Sequence, residues 1–325
     1  MPDAPTTESW LPDGYEPGLI SVVVPTFNRE ALLPATLASV FAQDYRPIEV
    51  IVADDGSTDG TRAMLKALAV PEGVALHVSE ADHEGASASR NRGARLSRGE
   101  FVMFLDSDDL LEPGALMTLV RTIAGADLAV GAWCDLEGGK RSEAIRREFG
   151  DDWFVDLLNH QWFATCATLH RRAALLRAEA WNGEVPHDDD FHFVAMLGLA
   201  GAKLASTPEV VALYRRHDSD QITRRDLAAK SHDTQRVLQR IERDLDSRDA
   251  WTSARREALA FRYFKTGRMV WYYAGDVDRF EELVHEAIRV QPGFRPPKNW
   301  YRWIAGLVGY PNAERVAAIG RKLFR

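Results

Sequence analysis

Three short apolar runs in the first third of the chain each end on a polar cluster. Ile20-Ser-Val-Val-Val24 runs into Pro25-Thr26-Phe27-Asn28-Arg29, Ile48-Glu-Val-Ile-Val52 into Asp54-Asp55, and Phe101-Val-Met-Phe-Leu105 into Asp106-Ser107-Asp108-Asp109. Continuous β-branched and aromatic runs of this length mark strands buried on both faces. Helical spacing lies between them: Leu32, Leu33, Leu37, Val40 and Phe41; then Met64, Leu65 and Leu68 behind an N-cap expected at Ser57 or Thr58. Further helices are expected from Gly85 to about Ser97 and from Leu110 to Ile123, and further strands at Val74–Val78 and Asp127–Val130. Strand and helix alternating through short connections predict an α/β fold of right-handed βαβ units, with a mainly parallel, Rossmann-like sheet between helix layers. Such sheets bind ligands outside the carboxyl ends of their strands. Chain order alone therefore gathers the three clusters on one rim.

The second half is less regular. Trp153–Leu158 and Phe191–Leu199 read as helices, Trp162–Leu169 and Val210–Tyr214 as strands, and the chain from about Arg224 as highly charged helix. Trp271 to Pro292 has the spacing of one tetratricopeptide-like hairpin, too little for a repeat array, and reads as part of a helical appendage. The expected organisation is a flexible lead-in over residues 1–18, a main domain over 19–222 with halves at 19–130 and 131–222, and a helical region over 223–325. A hydrophobic fraction of 46% with 27% charged residues excludes disorder, and a net charge of −8 gives no support to nucleic-acid binding. Cys134 and Cys166 lack metal-ligand spacing and read as core residues of a reducing compartment. The polar, proline-rich start is unlike a secretory signal, and no run is apolar enough to span a bilayer, so a cytoplasmic location is expected. Lys298–Tyr310 mixes aromatics with cations and Arg321–Arg325 is basic and apolar. That tail suits either peripheral contact with the inner face of an anionic membrane or packing on the protein or a homodimer partner.

The acidic clusters carry the chemistry. Asp106, Asp108 and Asp109 at one strand end repel one another; a divalent cation with hard-oxygen preference, Mg²⁺ or Mn²⁺, would relieve this and keep positions open for phosphate oxygens. A solvated turn rich in helix-starting acids is the other reading of the same residues. Asp54 and Asp55 should diverge, because side chains alternate along a strand, and Gly56 permits the tight turn that follows. Arg90 and Arg92 lie two apart on a helix, so one reaches an anion and the other solvent. Asp188-Asp189-Asp190 opens a helix, where the dipole accounts for one or two acids and a third invites the role of general base. His217, after the strand ending at Arg216, becomes a ligand candidate only in such company.

In combination, SVVVPTFNR, VIVADDGSTDGT, GASASRNRGARLSRGEFVMFLDSDD, HDDDF and YRRHDS resemble, in order, the motifs of the inverting glycosyltransferases of family 2. The resemblance covers about Ile20 to Ser219 and implies the nucleotide-diphospho-sugar transferase (GT-A) fold. By that resemblance Pro25, Thr26, Phe27 and Arg29 line the nucleotide pocket and Asp55 accepts a hydrogen bond from the base, usually uracil N3–H, with Asp54 supporting the loop or a nearby cation. Arg90 approaches the diphosphate, Asp106 the ribose or a metal-bound water, Asp108 the metal directly, and His217 the metal or diphosphate. Counting back from Ala200-Gly201 puts the base at Asp190, with Asp189 the alternative if the register slips by one. An acceptor loop is expected near Trp162 to Thr168. Asp189 stands where the family usually has Glu, Phe191 where Trp is commoner and His192 where an acid often follows, departures that bear on the acceptor side. The implied activity is Mn²⁺- or Mg²⁺-dependent inverting transfer from a UDP-sugar to a hydroxyl of a glycan, lipid-linked or other acceptor, as in surface-polysaccharide synthesis. A non-catalytic sugar-nucleotide-binding or scaffold protein of the same fold is the alternative, and the complete acid set counts against it. A nucleotidyltransferase would begin with a glycine-rich phosphate loop, which Pro25–Arg29 lacks.

Overall fold

The computed structural model describes residues 10–159, 161–216 and 226–296, with 305, 306, 309, 310, 312 and 313. These residues separate into two compact units, one within Met1–Phe149 and Trp162–Ser219, the other within Gly150–Gln161 and Asp220–Arg325.

The first unit is a mixed α/β layer structure. Its strands are β1 (Glu16–Thr26), β2 (Ile48–Asp54), β3 (Val74–Glu80), β4 (Gly99–Phe104), β5 (Leu110–Leu111), β6 (Leu128–Glu137), β7 (Lys140–Arg141), β8 (Thr168–Arg171) and β9 (Leu204–Arg216). They form one sheet in the order β3-β2-β1-β4-β8-β6-β9-β5, with β7 beside β6. The β1–β2, β2–β3, β1–β4 and β6–β9 pairs are parallel, whereas β8 runs antiparallel to both β4 and β6 and so joins two parallel blocks. Ile20, Val22, Val23, Val24, Val50, Ile51 and Val52 are fully buried, as continuous apolar runs require. The crossover helices are α1 (Leu33–Phe41), α2 (Thr61–Ala67), α3 (Ala86–Leu96) and α4 (Ala115–Thr122).

Several sequence expectations are corrected. The lead-in gives way to ordered chain before residue 18: Leu11 is buried, the Trp10 indole donates to Leu175 O and Ala178 O, and β1 begins at Glu16. Neither Ser57 nor Thr58 caps a helix. Ser57 Oγ accepts from Asn28 N at 2.9 Å, and α2 starts only at Thr61, whose amide Asp59 accepts at 3.0 Å. Leu110 and Leu111 are not helical; they pair with Leu213 and Ala212 of β9, and Pro113 with left-handed Gly114 delays α4. Most of Trp162–Leu169 is loop and a short 3₁₀ turn, with β8 beginning at Thr168.

The second unit is helical and holds α5 (Trp153–Leu158), α8 (Leu227–Ser247), α9 (Ser253–Ala274) and α10 (Val277–Val290), while the short α6 (Arg172–Leu175) and α7 (Asp189–Leu199) belong to the first unit. Side-chain caps at Asp226, Thr252 and Asp276 start the last three helices. The α9–α10 hairpin turns at left-handed Gly275, and Gly267 lies so close to Phe280 that a Cβ would sit 2.9 Å from its ring. No described helix is long and apolar enough to cross a membrane. The aromatic and basic tail lies largely outside the described residues.

Gly93 sets how closely α3 approaches the sheet: a Cβ there would collide with Val23 Cγ1 of β1. Gly93→Val should lower the unfolding free energy by about 1–3 kcal/mol through overpacking. Urea denaturation tests this, and an unchanged midpoint would show that α3 can shift outward at no cost.

Candidate active site

The rim at the carboxyl ends of β1, β2 and β4 is knitted by polar loops. Asn28, after β1, has φ 51, a left-handed conformation that asparagine tolerates. Its Oδ1 accepts from the Thr58 amide at 2.8 Å and so ties the first loop to the second. Gly56 has φ 81, and a Cβ there would meet His83 N at 3.0 Å, so the turn after Asp54-Asp55 requires glycine. As expected, the two acids diverge. Asp54 is fully buried and accepts from Arg62 Nε at 2.6 Å. Asp55 accepts from the amides of Glu84 and Gly85, each at 2.9 Å, and lies 2.8 Å from His83 Nδ1. Thr26 is buried and accepts the Asp55 amide at its carbonyl, Pro25 is buried beside it, and Phe27 is exposed and stacked on His83 at 4.2 Å. These residues share one stretch of the rim.

Arg90 occupies the centre. Its guanidinium bridges Asp106 Oδ1 at 2.7 Å and Asp189 Oδ2 at 2.9 Å, with the Trp181 ring 4.4 Å away. Burial opposes its charge, but attraction to Asp106 and Asp189 outweighs burial and holds its pKa above the ordinary value. Arg92 turns away, as the two-residue spacing requires, but toward Asp54 O at 2.8 Å rather than into solvent. Asp108 lies 3.7 Å from Arg29, and Asp109 is buried with its Oδ1 accepting from Arg215 N at 2.8 Å. Burial first, then the charges of Asp106 and Asp108, push the Asp109 carboxyl well above the usual range. Cys134 and Cys166 are both buried, and burial with the neighbouring Asp109 pushes the Cys166 thiol up.

The two candidate bases separate cleanly. Asp189 is locked by Arg90 and by Ser87 Oγ at 2.8 Å; burial, opposed by Arg90 and reinforced by Asp190, pushes its carboxyl up to about 6. Asp190 instead lines a small pocket with Trp162, Phe163, Thr165, Thr168, His170, Trp181, Phe193 and Val194. Its Oδ2 accepts from the Trp162 indole at 3.1 Å. Thr168 is buried and donates its hydroxyl to Thr165 O at 2.8 Å, so it shapes the pocket wall through its position. His217 lies outside the described residues. Sequence reasoning missed Asn28, His83, Ser87, His170 and Trp181. Asn28 and Ser87 each sit inside a motif quoted for its other members, whereas His83, His170 and Trp181 lie in none.

A model of glycosyl transferase family 2 matches residues 21–182. An uncharacterized glycosyltransferase of Haemophilus influenzae is 31% identical over 183 residues, which cover 55% of this chain and 72% of the relative. The chain belongs to glycosyl transferase family 2. Another relative, the GalNAc(5)-diNAcBac-PP-undecaprenol beta-1,3-glucosyltransferase of Campylobacter jejuni, is 39% identical over 103 residues; the match covers 31% of this chain and only a third, 33%, of that protein's own length. Among solved structures, residues 1–349 of TarS from S. aureus in complex with UDP-GlcNAc superpose with a TM-score of 0.70 at 18% identity, over 93% of this chain and 92% of that one. That likeness establishes a GT-A type fold.

His170, inside the pocket, provides a test of its burial. It is buried with Nδ1 at 3.2 Å from Val102 O, and burial pushes its pKa down to about 4. An unfolded histidine titrates near 6.5, so between pH about 6.5 and 4 the unfolded chain binds the extra proton and stability falls as pH falls. The His170 contribution between pH 7 and 5 is about 2 kcal/mol. His170→Gln should therefore flatten the acid loss of stability measured by urea denaturation at those two pH values; an equal slope would show that His170 is protonated in the fold.

Proposed function

We propose that this chain transfers a sugar, with inversion, from a nucleotide-diphospho-sugar to an acceptor hydroxyl, using Asp190 as the base. The separation of Asp189 from Asp190 is the observation that supports this most strongly. Asp189 is engaged by Arg90 and Ser87, whereas Asp190 reaches a pocket lined by aromatic rings. The acceptor hydroxyl gives its proton to the Asp190 carboxylate as its oxygen bonds to the anomeric carbon. The anomeric C–O bond breaks on the opposite face, and its electron pair leaves with the nucleoside diphosphate. A second opposed carboxylate, which a glycosidase needs, has no role.

On the donor side, Phe27 and His83 offer a stacking surface and Asp55 an acceptor for a base N–H, which favours uracil. Arg90 is the proposed diphosphate contact, with its guanidinium already shared between Asp106 and Asp189. Asp106 and Asp108 are hard oxygen donors suited to Mg²⁺ or Mn²⁺, and no described group of three such ligands converges. Two carboxylates fit a cation that takes its remaining positions from phosphate oxygens, with His217 as a further candidate. When bound, that cation would neutralise charge developing on the leaving diphosphate. Trp162 and Thr168 stand beside Asp190 on the proposed acceptor side, where the enclosed pocket, about 10 Å³, is only water-sized; the proposed acceptor is a hydroxyl of a glycan, a lipid-linked sugar or a small molecule.

Screening UDP-glucose, UDP-galactose, UDP-N-acetylglucosamine and UDP-N-acetylgalactosamine by thermal shift with Mn²⁺ identifies the donor, because ligands that bind only the folded state raise its apparent stability. Asp190→Asn should abolish transfer while Mn²⁺-dependent UDP affinity, read by calorimetry, stays within about twofold; loss of both would remove Asp190 from the role of base. Asp108→Ala should abolish the Mn²⁺ dependence of UDP binding, and an unaltered dependence rejects the metal assignment.

A further inference from the structure

Asp190 sits in the first turn of α7, and its two oxygens have different kinds of partner. Oδ1 accepts from the next amide, Phe191 N, at 2.7 Å, a contact that any residue of this turn would bring with it. Oδ2 accepts from the Trp162 indole N–H at 3.1 Å, across twenty-eight residues of chain. Trp162 is itself fixed from three directions. Its ring stands edge-on to Trp133 of β6 at 5.6 Å and to Tyr214 of β9 at 6.1 Å, and its carbonyl accepts from Arg147 Nε at 2.9 Å.

We propose that Trp162 is a positioning residue that sets the orientation of the Asp190 carboxylate, and that its indole N–H, rather than its ring surface, does this. The proposal rests on Asp190 being the base. An aspartate at a helix start has two side-chain torsions, and a local amide contact at one oxygen leaves its plane free to swing. A second contact at the other oxygen, from a ring packed edge-on against side chains of two adjacent strands, fixes that plane. An indole N–H only donates, so it orients the base without competing for the proton that the base must take. The pairing also couples the base to β6 and β9 rather than to its own helix alone, so the carboxylate holds its place relative to the sheet.

The alternative role for an aromatic in such a pocket is a stacking platform for an acceptor sugar, and the two roles part experimentally. Trp162→Phe keeps an aromatic face and removes the donor; Trp162→His keeps a ring N–H and loses area. Replacement of Trp162 by 3-benzothienylalanine keeps the shape of the indole and removes only the N–H. With the UDP-sugar selected by the panel and p-nitrophenyl glycosides as acceptor probes, the phenylalanine and benzothienyl variants should lose about ten- to a hundredfold in kcat, the scale on which small misplacements act. KM for acceptor and UDP affinity with Mn²⁺ should stay within about twofold, and the histidine variant should recover part of the loss. A crystal structure of the benzothienyl variant should show the Asp190 carboxylate turned from its native rotamer.

A benzothienyl variant with native kcat, or an unmoved Asp190 rotamer, overturns the proposal. A raised acceptor KM at unchanged kcat assigns Trp162 to stacking and also overturns it. Asp190→Asn separates the two levels: if that variant keeps native turnover the base assignment has failed, whereas loss there with native kcat in the Trp162 series leaves the base and removes only its tether.

Discussion

A single buried cation organises this site. Arg90 holds Asp106, at the end of β4, and Asp189, at the start of α7, within one hydrogen-bonded group covered by Trp181. Without it, two carboxylates from distant parts of the chain would face each other with little water, which costs several kcal/mol per uncompensated charge. With it, their separation is fixed to within the geometry of a planar guanidinium. Asn91, the next residue on α3, exchanges two hydrogen bonds with the backbone of Trp181, so the same helix holds the ring that covers its neighbour. Residues from β4, α7 and the Trp181 segment thus meet on α3, and Gly93 lets that helix lie close to the sheet.

The fold was legible wherever hydrophobic period and strand-ending clusters agreed. β1, β2, β4 and α1 to α3 follow the sequence pattern, because a parallel strand buried on both faces has almost no other way to be written; β3, the partly exposed edge strand, follows it too. The misreadings share a cause: they lie where tertiary partners override local pattern. Leu110 and Leu111 have helical spacing, yet β9 offers them a strand edge and Pro113-Gly114 breaks the helix behind them. Ser57 is a good cap in isolation, but Asn28, 29 residues away, claims its hydroxyl. The antiparallel β8 is only partly marked: the run expected as a strand over Trp162–Leu169 overlaps it at Thr168 and Leu169 alone, and the gap between β4 and β6 sets where it pairs.

The site divides the same way. Asp55, Ser87, Arg90 and Asp106 lie in segments that the family resemblance covers, so motif order alone brings them into view. Trp181 and His170 lie in no such motif, and each reaches the site only through a partner far along the chain. The choice between Asp189 and Asp190 shows the boundary well. Spacing ranked them, but only the partners distinguish them: a cation and a hydroxyl for Asp189, a donor-only indole for Asp190.

Charge balance carries the argument one step further. Asp106, Asp108, Asp189 and Asp190 face two guanidinium groups, Arg29 and Arg90, and Arg90 is already shared between two of the acids. Burial eases this in part by pushing Asp109 and Asp189 toward their neutral forms. The group still has a surplus of negative charge, and a donor diphosphate would add more. An anion does not settle beside such a cluster on hydrogen bonds alone, whereas a divalent cation held by Asp106 and Asp108 would reverse the local sign. The acidic excess that looks costly in the sequence is therefore a physical reason to propose a metal at this rim, and Arg90 offsets part of that excess in the fold.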